Sequence, residues 1–364
     1  MTATSTQRVL VGLSGGVDSA VAALLLKRAG HAVHGLYMSN WDEDDDGYCT
    51  NARDLQDARA VAAELSIPLH VVSFAHQYRQ RVFDYFLAEH RAGRTPNPDV
   101  LCNREIKFGV CLQHAERLGA ELFATGHYAR LERRGNAVHL LKGVDSAKDQ
   151  SYFLHAVAPE HFERVRFPLG ALTKTEVRAV ARAAGLPVFD KPDSTGICFI
   201  GERPFREFLA RYLPESPGPI LSDADECLGT HRGLAFYTLG QRGGLAIGGQ
   251  PGRAEQPWFV AAKDAARNAL IVVQGHDHPR LASTALEAAD FHWLATPPGK
   301  QFAAAAKVRY RQADQPCNVT VLDRGRVQLE FTATQRAVTP GQFAVLYDGE
   351  RCLGGGVIES ICQS

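Results

Sequence analysis

The sequence predicts an α/β protein in which an N-terminal, doubly wound parallel sheet is followed by two small antiparallel β-barrel-like domains. Three observations support this. An apolar strand enters a glycine-rich turn and an apolar helix at residues 9–30, and strand-like and helix-like stretches alternate up to residue 212. From residue 214 onward, glycine and proline punctuate short β-rich runs. Alternation is typical of parallel sheets covered by helices, and punctuated short strands are typical of barrels or sandwiches.

The first unit is the clearest. Residues 9–13 form an apolar run that ends in glycines, as buried parallel strands do. Residues 19–27 favour a helix, and Gly30 stands where a helix C-cap glycine is expected. Residues 31–37 then predict the second strand, so the segment forms a β-loop-α-β unit.

The following elements continue the alternation. Helices are predicted at residues 52–65, 78–91 and 107–118, and strands at 69–73 and 122–125. Thr173 and Glu176 form a capping box that begins a helix ending near residue 184, and residues 203–212 predict a last helix.

The C-terminal half predicts short strands at residues 236–239, 258–261, 269–273, 307–310, 319–322, 327–331 and 344–347. Its length suits one large or two small β domains, and a break near residues 282–287 would divide it evenly. We therefore expect domains at 1–212, 213–282 and 283–364.

Composition narrows the class of protein. The 40 basic and 40 acidic residues balance, which argues weakly against a dedicated nucleic-acid module, although residues 300–340 are basic. The polar start lacks the features of a secretory signal, and the eight cysteines form no Cys-x-x-Cys pair. A cytoplasmic, reducing location without membrane association is expected. The acidic run 42–46 suits a solvated loop, with a metal or thiol-partner role as the alternative.

A phosphate-binding loop is predicted at Ser14-Gly15-Gly16-Val17-Asp18-Ser19. Glycines let backbone N–H groups approach phosphate, and the next helix adds the positive end of its dipole. The loop lacks the lysine of a Walker A motif and the spacing of a dinucleotide fingerprint. Its hydroxyls and amides suit a pyrophosphate group, and Asp18 could orient Mg²⁺. An ordinary glycine turn with a helix N-cap is the alternative.

Two cysteines stand in unusual settings. Cys102 follows a proline-set loop, with Arg104 and Lys107 one turn on, so a helix N-terminus and nearby cations are expected to lower its pKa. Asp99 is close enough in sequence to serve as a general acid or base. Cys198 is expected to lie in a glycine-containing loop. Either thiol could instead be a small buried hydrophobe, but two of them beside a nucleotide site suggest paired thiol chemistry.

The loop 14–19 is similar to the PP-loop of N-type ATP pyrophosphatases. The chain as a whole resembles the bacterial tRNA-specific 2-thiouridylase family. That resemblance extends over segments 14–19, 95–108, 125–129, 148–152, 193–200, 237–242, 307–311 and 353–356. Gly243 stands where the family often has an arginine, a departure that puts little in doubt.

The resemblance implies a sulfurtransferase that uses ATP with Mg²⁺ to place sulfur at C2 of the wobble uridine, position 34, of tRNA. Adenylation of the C2 oxygen would precede sulfur transfer and release pyrophosphate and AMP. Cys198 would carry a persulfide, and Cys102 would be the partner nucleophile, leaving a transient Cys102–Cys198 disulfide. Direct attack by the persulfide and attack by released sulfide both remain open. ATP-contacting positions are implied at Gly12, Leu13, Ser14, Gly15, Gly16, Val17, Asp18, Ser19, Met38 and Gly126.

The resemblance also implies contacts with macromolecules. Asn97, Pro98 and Asp99 would meet the target base, with Asp99 as general acid or base. Segments Lys148-Asp149-Gln150 and Arg309-Tyr310 would meet the anticodon arm of tRNA, although they could equally be a solvated turn and an exposed strand position. Further implications are a sulfur donor protein that delivers persulfide sulfur, and a monomeric state. His127 is expected to be structural or to line the ATP pocket.

Two other functions compete with this hypothesis. A PP-loop enzyme with a nitrogen nucleophile, such as an amide ligase, would need an ammonia source, and the sequence has no glutaminase motif. A nucleic-acid-binding module with a vestigial ATP site is suggested by the β-rich half. Release of pyrophosphate and AMP that depends on tRNA would exclude the nucleic-acid-binding module and favour the thiolating enzyme.

Overall fold

The computed structural model describes residues 6–41, 50–135, 137–193, 205–248 and 256–363. The N-terminal part holds nine helices among these residues, with the bounds α1 Val17–Arg28, α2 Thr50–Glu64, α3 Ala75–Tyr78, α4 Asp84–Arg91, α5 Pro98–Leu101, α6 Cys111–Arg117, α7 Ser151–Leu154, α8 Lys174–Ala183 and α9 Phe205–Ala210. π-Helical turns at Arg79–Phe83 and Cys102–Val110 join α3 to α4 and α5 to α6. No helix in the described part of the chain is long and apolar enough to cross a membrane.

The N-terminal strands are β1 Arg8–Gly12, β2 Ala32–Ser39, β3 Leu69–Ser73, β4 Leu122–Ala124, β5 Ala129–Arg134, β6 Ala137–Lys142 and β7 Val165–Arg166. Five of them form a fully parallel sheet in the order β3-β2-β1-β4-β7. This confirms the predicted doubly wound sheet. The chain order reverses beside β1, and such a switch point is where ligands bind in open α/β sheets.

Packing explains why α1 is apolar almost all round. Ala20, Val21, Ala22 and Ala23 are all fully buried, between the sheet and neighbouring helices. A helix that is hydrophobic on every side belongs in a core, so α1 is held rigidly behind the glycine-rich turn. The capping box predicted at Thr173 is also present: its hydroxyl accepts from the Glu176 N–H, and its own N–H donates to the Glu176 carboxylate.

The central part contains a four-stranded sheet in the order β10-β11-β8-β9, with β8 Gly218–Ser222, β9 Cys227–His231, β10 Trp258–Asp264 and β11 Ala269–Gln274. One pairing differs from the antiparallel arrangement expected, because β8 and β11 run parallel. The strand predicted at residues 236–239 was wrong. A 3₁₀ turn at Leu234–Phe236 occupies its start instead.

The C-terminal strands are β12 Ala282–Trp293, β13 Gln301–Lys307, β14 Gln315–Val321, β15 Val327–Arg336, β16 Phe343–Asp348 and β17 Arg351–Gln363. They close into an antiparallel barrel, because β12 pairs with both β15 and β17. The barrel sheet continues into the N-terminal part. β17 pairs with β6, whose hairpin partner is β5.

Candidate active site

The glycine-rich loop lies between the end of β1 and the start of α1, at the carboxyl edge of the parallel sheet. The Ser19 hydroxyl organises it. The hydroxyl oxygen accepts from the Ser14 N–H at 3.2 Å and lies 3.2 Å from the Ser14 hydroxyl, and the O–H group donates to the Gly16 carbonyl at 3.0 Å. The loop is therefore shaped before any ligand arrives, as an anion-binding turn at a helix N-terminus requires.

Two glycines are required by this packing. Gly15 has φ +76°, and a Cβ there would lie 2.3 Å from the Asp54 carbonyl oxygen. Gly126 follows β4, and a Cβ there would lie 2.8 Å from both the Asp18 carbonyl carbon and the Ser19 nitrogen. Gly126, in the loop after β4, thus lies against the first turn of α1, which brings two predicted ATP-contacting segments together.

A lysine reaches the loop from a distant part of the chain. The Lys174 ammonium, at the start of α8, lies 2.7 and 2.8 Å from the two Asp18 carboxylate oxygens. The Tyr128 hydroxyl donates to the same carboxylate at 2.7 Å, and burial together with Asp18 raises the Tyr128 pKa. No motif in the sequence pointed to Lys174 as a site residue. The capping box of Thr173 and Glu176 predicted the start of α8, but it did not indicate that this start lies beside the glycine-rich loop.

Asp193 extends this charged network. Its carboxylate lies 2.5 Å from Lys148, 2.7 Å from Lys174 and 2.9 Å from Arg178. Partial burial opposes its ionisation, but hydrogen bonds from Lys148 and Lys174 outweigh that effect and lower the Asp193 pKa to about 2. Asp193 is the last described residue before Cys198, which lies outside the described residues.

Lys191 ties the loop to α2. Its ammonium donates to the Gly15 carbonyl at 3.1 Å and binds the Asp54 and Asp57 carboxylates. Burial works against the charge, yet the two carboxylates raise the Lys191 pKa. Two lysines from the chain after β7 thus reach this loop, although the loop itself contains none.

Cys102 lies within a helix. The prediction that the helix begins at residue 107 was wrong, because Pro98 occupies its first turn and the Asn97 side chain caps it by accepting from the Asp99 N–H at 3.1 Å. Cys102 begins the π-helical turn and is fully buried. π-Helical turns are frequent at functional sites. The lowered thiol pKa and the acid–base role of Asp99 stay predictions.

Met38, on β2, is half-buried, and the Cys111 thiol donates to its sulfur at 3.5 Å. Burial raises the Cys111 pKa to about 12, so this thiol is inert at neutral pH. His127 is buried between the rings of Phe108 and Phe167 and bonded to the Thr125 hydroxyl. Burial lowers its pKa well below the usual value, which suits a packing role.

The segments expected to meet tRNA differ in exposure. The Asp149 side chain is buried, and the Gln150 side chain accepts from the Tyr128 N–H at 3.0 Å, next to the Asp18 network. The strand predicted at residues 307–310 was wrong. β13 ends at Lys307, and Arg309 and Tyr310 stand in the turn that follows, with Arg309 exposed. Among the described residues there is no group of three or more histidine, cysteine or carboxylate side chains that could hold a metal ion.

A preformed glycine-rich loop at the switch point of a parallel sheet defines the class of nucleotide-binding α/β domains. The chain matches the sequence profiles of three domains: the "tRNA methyl transferase HUP domain" at residues 7–202, the "tRNA methyl transferase PRC-barrel domain" at 206–274 and the "Aminomethyltransferase beta-barrel domain" at 283–358.

Curated relatives match almost end to end. Proteins named tRNA-specific 2-thiouridylase MnmA are 58% identical in Paracidovorax citrulli (98% of this chain, 97% of the relative) and 56% identical in Hahella chejuensis (98% of each). The chain therefore belongs to the tRNA-specific 2-thiouridylase (MnmA) family. A solved structure, the U34-tRNA thiolase NcsA from Methanococcus maripaludis, is a distant match: it covers 57% of this chain and 67% of its own at 18% identity and a TM-score of 0.35.

Proposed function

We propose that this protein is a tRNA-uridine 2-sulfurtransferase that uses ATP to replace the C2 oxygen of the wobble uridine with sulfur. Full-length identity of 58% to a protein named tRNA-specific 2-thiouridylase carries the proposal. The site supports it, since the preformed loop at residues 14–19 suits nucleotide phosphates and Cys102 lies in the same domain.

Activation is the first chemical requirement, because a urea-like carbonyl is a poor electrophile and its oxygen a poor leaving group. The C2 oxygen attacks the α-phosphorus of ATP, pyrophosphate leaves, and the oxygen becomes part of AMP. The loop amides and the Lys174 ammonium hold the pyrophosphate portion, where charge-assisted hydrogen bonds are strongest. Mg²⁺ suits this site as a charge neutraliser, because it is usually held by one or two carboxylates plus substrate phosphates, and Asp18 supplies a carboxylate.

Sulfur transfer follows at the activated carbon. A persulfide on Cys198 attacks C2 through its outer sulfur and expels AMP. The Cys102 thiolate then attacks the Cys198 sulfur, which breaks the persulfide S–S bond, leaves 2-thiouridine and forms the Cys102–Cys198 disulfide. In the alternative order, Cys102 attacks first and the released sulfide attacks C2. A reductant restores both thiols, and a donor protein reloads Cys198.

Substrate binding completes the proposal. The target uridine must leave its stack to reach this chemistry, and in this proposal it is received by Asn97, Pro98 and Asp99, which precede Cys102 in the chain. Arg309 offers an exposed guanidinium for backbone phosphate, and Lys148 adjoins the ATP site through its ion pair with Asp193. We propose the anticodon arm of tRNA as the ligand of these residues.

The test is nucleoside mass spectrometry of tRNA incubated with the protein, ATP, Mg²⁺ and a persulfide donor. We expect 2-thiouridine at position 34, with AMP and pyrophosphate released only when tRNA is present. Cys198→Ser should abolish thiolation while ATP binding survives, and Cys227→Ser, at an exposed cysteine of the central sheet, should change neither. Thiolation retained by Cys198→Ser would exclude the proposed sulfur carrier.

A further inference from the structure

The junction between the N-terminal part and the barrel contains a buried ion pair that the proposed chemistry does not use. Asp149 follows the β5–β6 hairpin and is 4% exposed, while Lys307 is the last residue of β13 and is 8% exposed. The Lys307 ammonium lies 3.3 Å from an Asp149 carboxylate oxygen. Charges this buried are rare unless they are paired, so this contact is a strong constraint between the two domains.

The Asp149 carboxylate is fixed on its own side of the junction. It accepts from the Gly143 N–H, the Ser151 N–H and the Ser151 hydroxyl, each at 3.1 Å. The Ser151 hydroxyl also lies 3.1 Å from the Tyr347 hydroxyl of the barrel. A carboxylate with this many donors keeps one position, so it defines where the Lys307 ammonium sits.

Lys307 is equally constrained on the barrel side. Its ammonium lies 5.1 Å from the centre of the Tyr347 ring and 3.8 Å from Asp314. A second ammonium, that of Lys142, lies 4.4 Å from the same ring and binds Asp314. Two cations and two carboxylates therefore meet around one aromatic ring, and the charges balance.

The turn that carries Arg309 and Tyr310 begins immediately after Lys307. The Tyr310 ring packs against Phe153 of α7 with 4.4 Å between ring centres. The Val308 N–H donates to the Gln312 side chain at 2.8 Å, which closes the turn. Lys307 on Asp149 and Tyr310 on Phe153 thus fix the turn to one short stretch of the N-terminal part, the stretch that adjoins the ATP site.

We propose that Asp149 and Lys307 are positioning residues, which fix the distance between the Arg309–Tyr310 turn and the ATP site. This distance lets tRNA contact the turn while its uridine occupies the ATP site. This inference rests on the proposed function. Asp149 therefore acts on tRNA through the barrel rather than by contact, which agrees with its burial. The pair affects how tightly tRNA binds, and it leaves ATP binding and the chemical steps unchanged.

The experiment compares Lys307→Met, Asp149→Asn and the double variant with the parent protein. Methionine keeps an apolar stem over Tyr347, and the double variant leaves no charge unpaired. We expect the KM for tRNA to rise about tenfold, the equivalent of one strong hydrogen bond, in each variant. We expect kcat at saturating tRNA and the Kd of an ATP analogue to stay within about twofold. Glu350→Gln is the matched control, because it breaks the ion pair between the exposed Glu350 and the half-buried Arg130 at the same junction.

Thermal unfolding identifies the variants that fold. If the single variants do not fold, the KM of the double variant for tRNA tests the inference. An unchanged KM for tRNA in a folded variant would overturn the inference. Equal losses in kcat, tRNA affinity and ATP affinity would also overturn it, because they indicate general damage. Failure of the parent protein to thiolate tRNA would instead refute the proposed function, so the two failures are distinct.

Discussion

Lys174 offers the sharpest test of the nucleotide site, because it is the ammonium that the loop itself lacks. The change is Lys174→Met, which keeps the length of the side chain and removes its charge. In the structure this ammonium lies 2.7 and 2.8 Å from the Asp18 oxygens and 2.7 Å from Asp193, and its side chain is only 12% exposed. It is therefore a shielded cation beside the phosphate loop.

The magnitude follows from these contacts. A hydrogen bond to a charged group contributes about 1.5–3 kcal/mol when the site is partly shielded from water. We expect the Kd of a non-hydrolysable ATP analogue to rise about 10- to 150-fold in Lys174→Met. The Kd of AMP should change by less than about twofold, because AMP lacks the phosphates that Lys174 would hold.

Isothermal titration calorimetry measures both ligands. Lys148→Met is the matched control, since Lys148 binds the Asp193 carboxylate as Lys174 does, whereas the ammonium bound to the Asp18 carboxylate is that of Lys174. It should leave both dissociation constants unchanged. Equal weakening of ATP and AMP, or no change for ATP, would refute a phosphate-binding role for Lys174.

Three further changes test local features. Gly15→Ala forces alanine to φ +76° against the Asp54 carbonyl, which costs about 1–2 kcal/mol in backbone strain before the steric clash is counted. Urea unfolding should show at least this loss of stability, and unchanged stability would contradict the geometry. Burial and His70 lower the pKa of His34, so its neutral ring stabilises the fold above about pH 6.5, and that stability is lost as pH falls. In His34→Gln the free energy of unfolding should therefore depend less on pH between about pH 7 and 5. A pH profile identical to that of the parent protein would count against this. Thr173→Ala removes the capping hydroxyl of α8 and should cost about 1 kcal/mol in urea unfolding, so a fully stable variant would show that the cap contributes nothing.

The phosphate loop was predictable because every part of it is local. The strand, the glycines and the helix follow one another within residues 8–28, and each has its own signal of burial, turn or capping. The Lys174 contact was not predictable in the same way. It depends on how α8 packs against α1, and no pattern in the sequence of either helix predicts that packing.

Two errors in the barrel region have identifiable causes. Residues 307–310 alternate like a strand, but the Gln312 side chain accepts from the Val308 N–H and closes a turn. The β5–β6 hairpin was missed, although Gly135 precedes Asn136 between two runs of strand-forming residues, a known hairpin signal. Its role as an extension of the barrel depends on β17, more than 200 residues later, so no local pattern could indicate it.

The pairing of β6 with β17 joins two strands that are synthesised far apart in time. Leu141 emerges from the ribosome about 210 residues before its partner Arg351, which at about 5–20 residues per second is a delay of about 10–40 s. Throughout that interval the hairpin has an open edge, and open edges invite pairing with other chains. A nascent chain of this protein must therefore protect an incomplete sheet until its last strand is made.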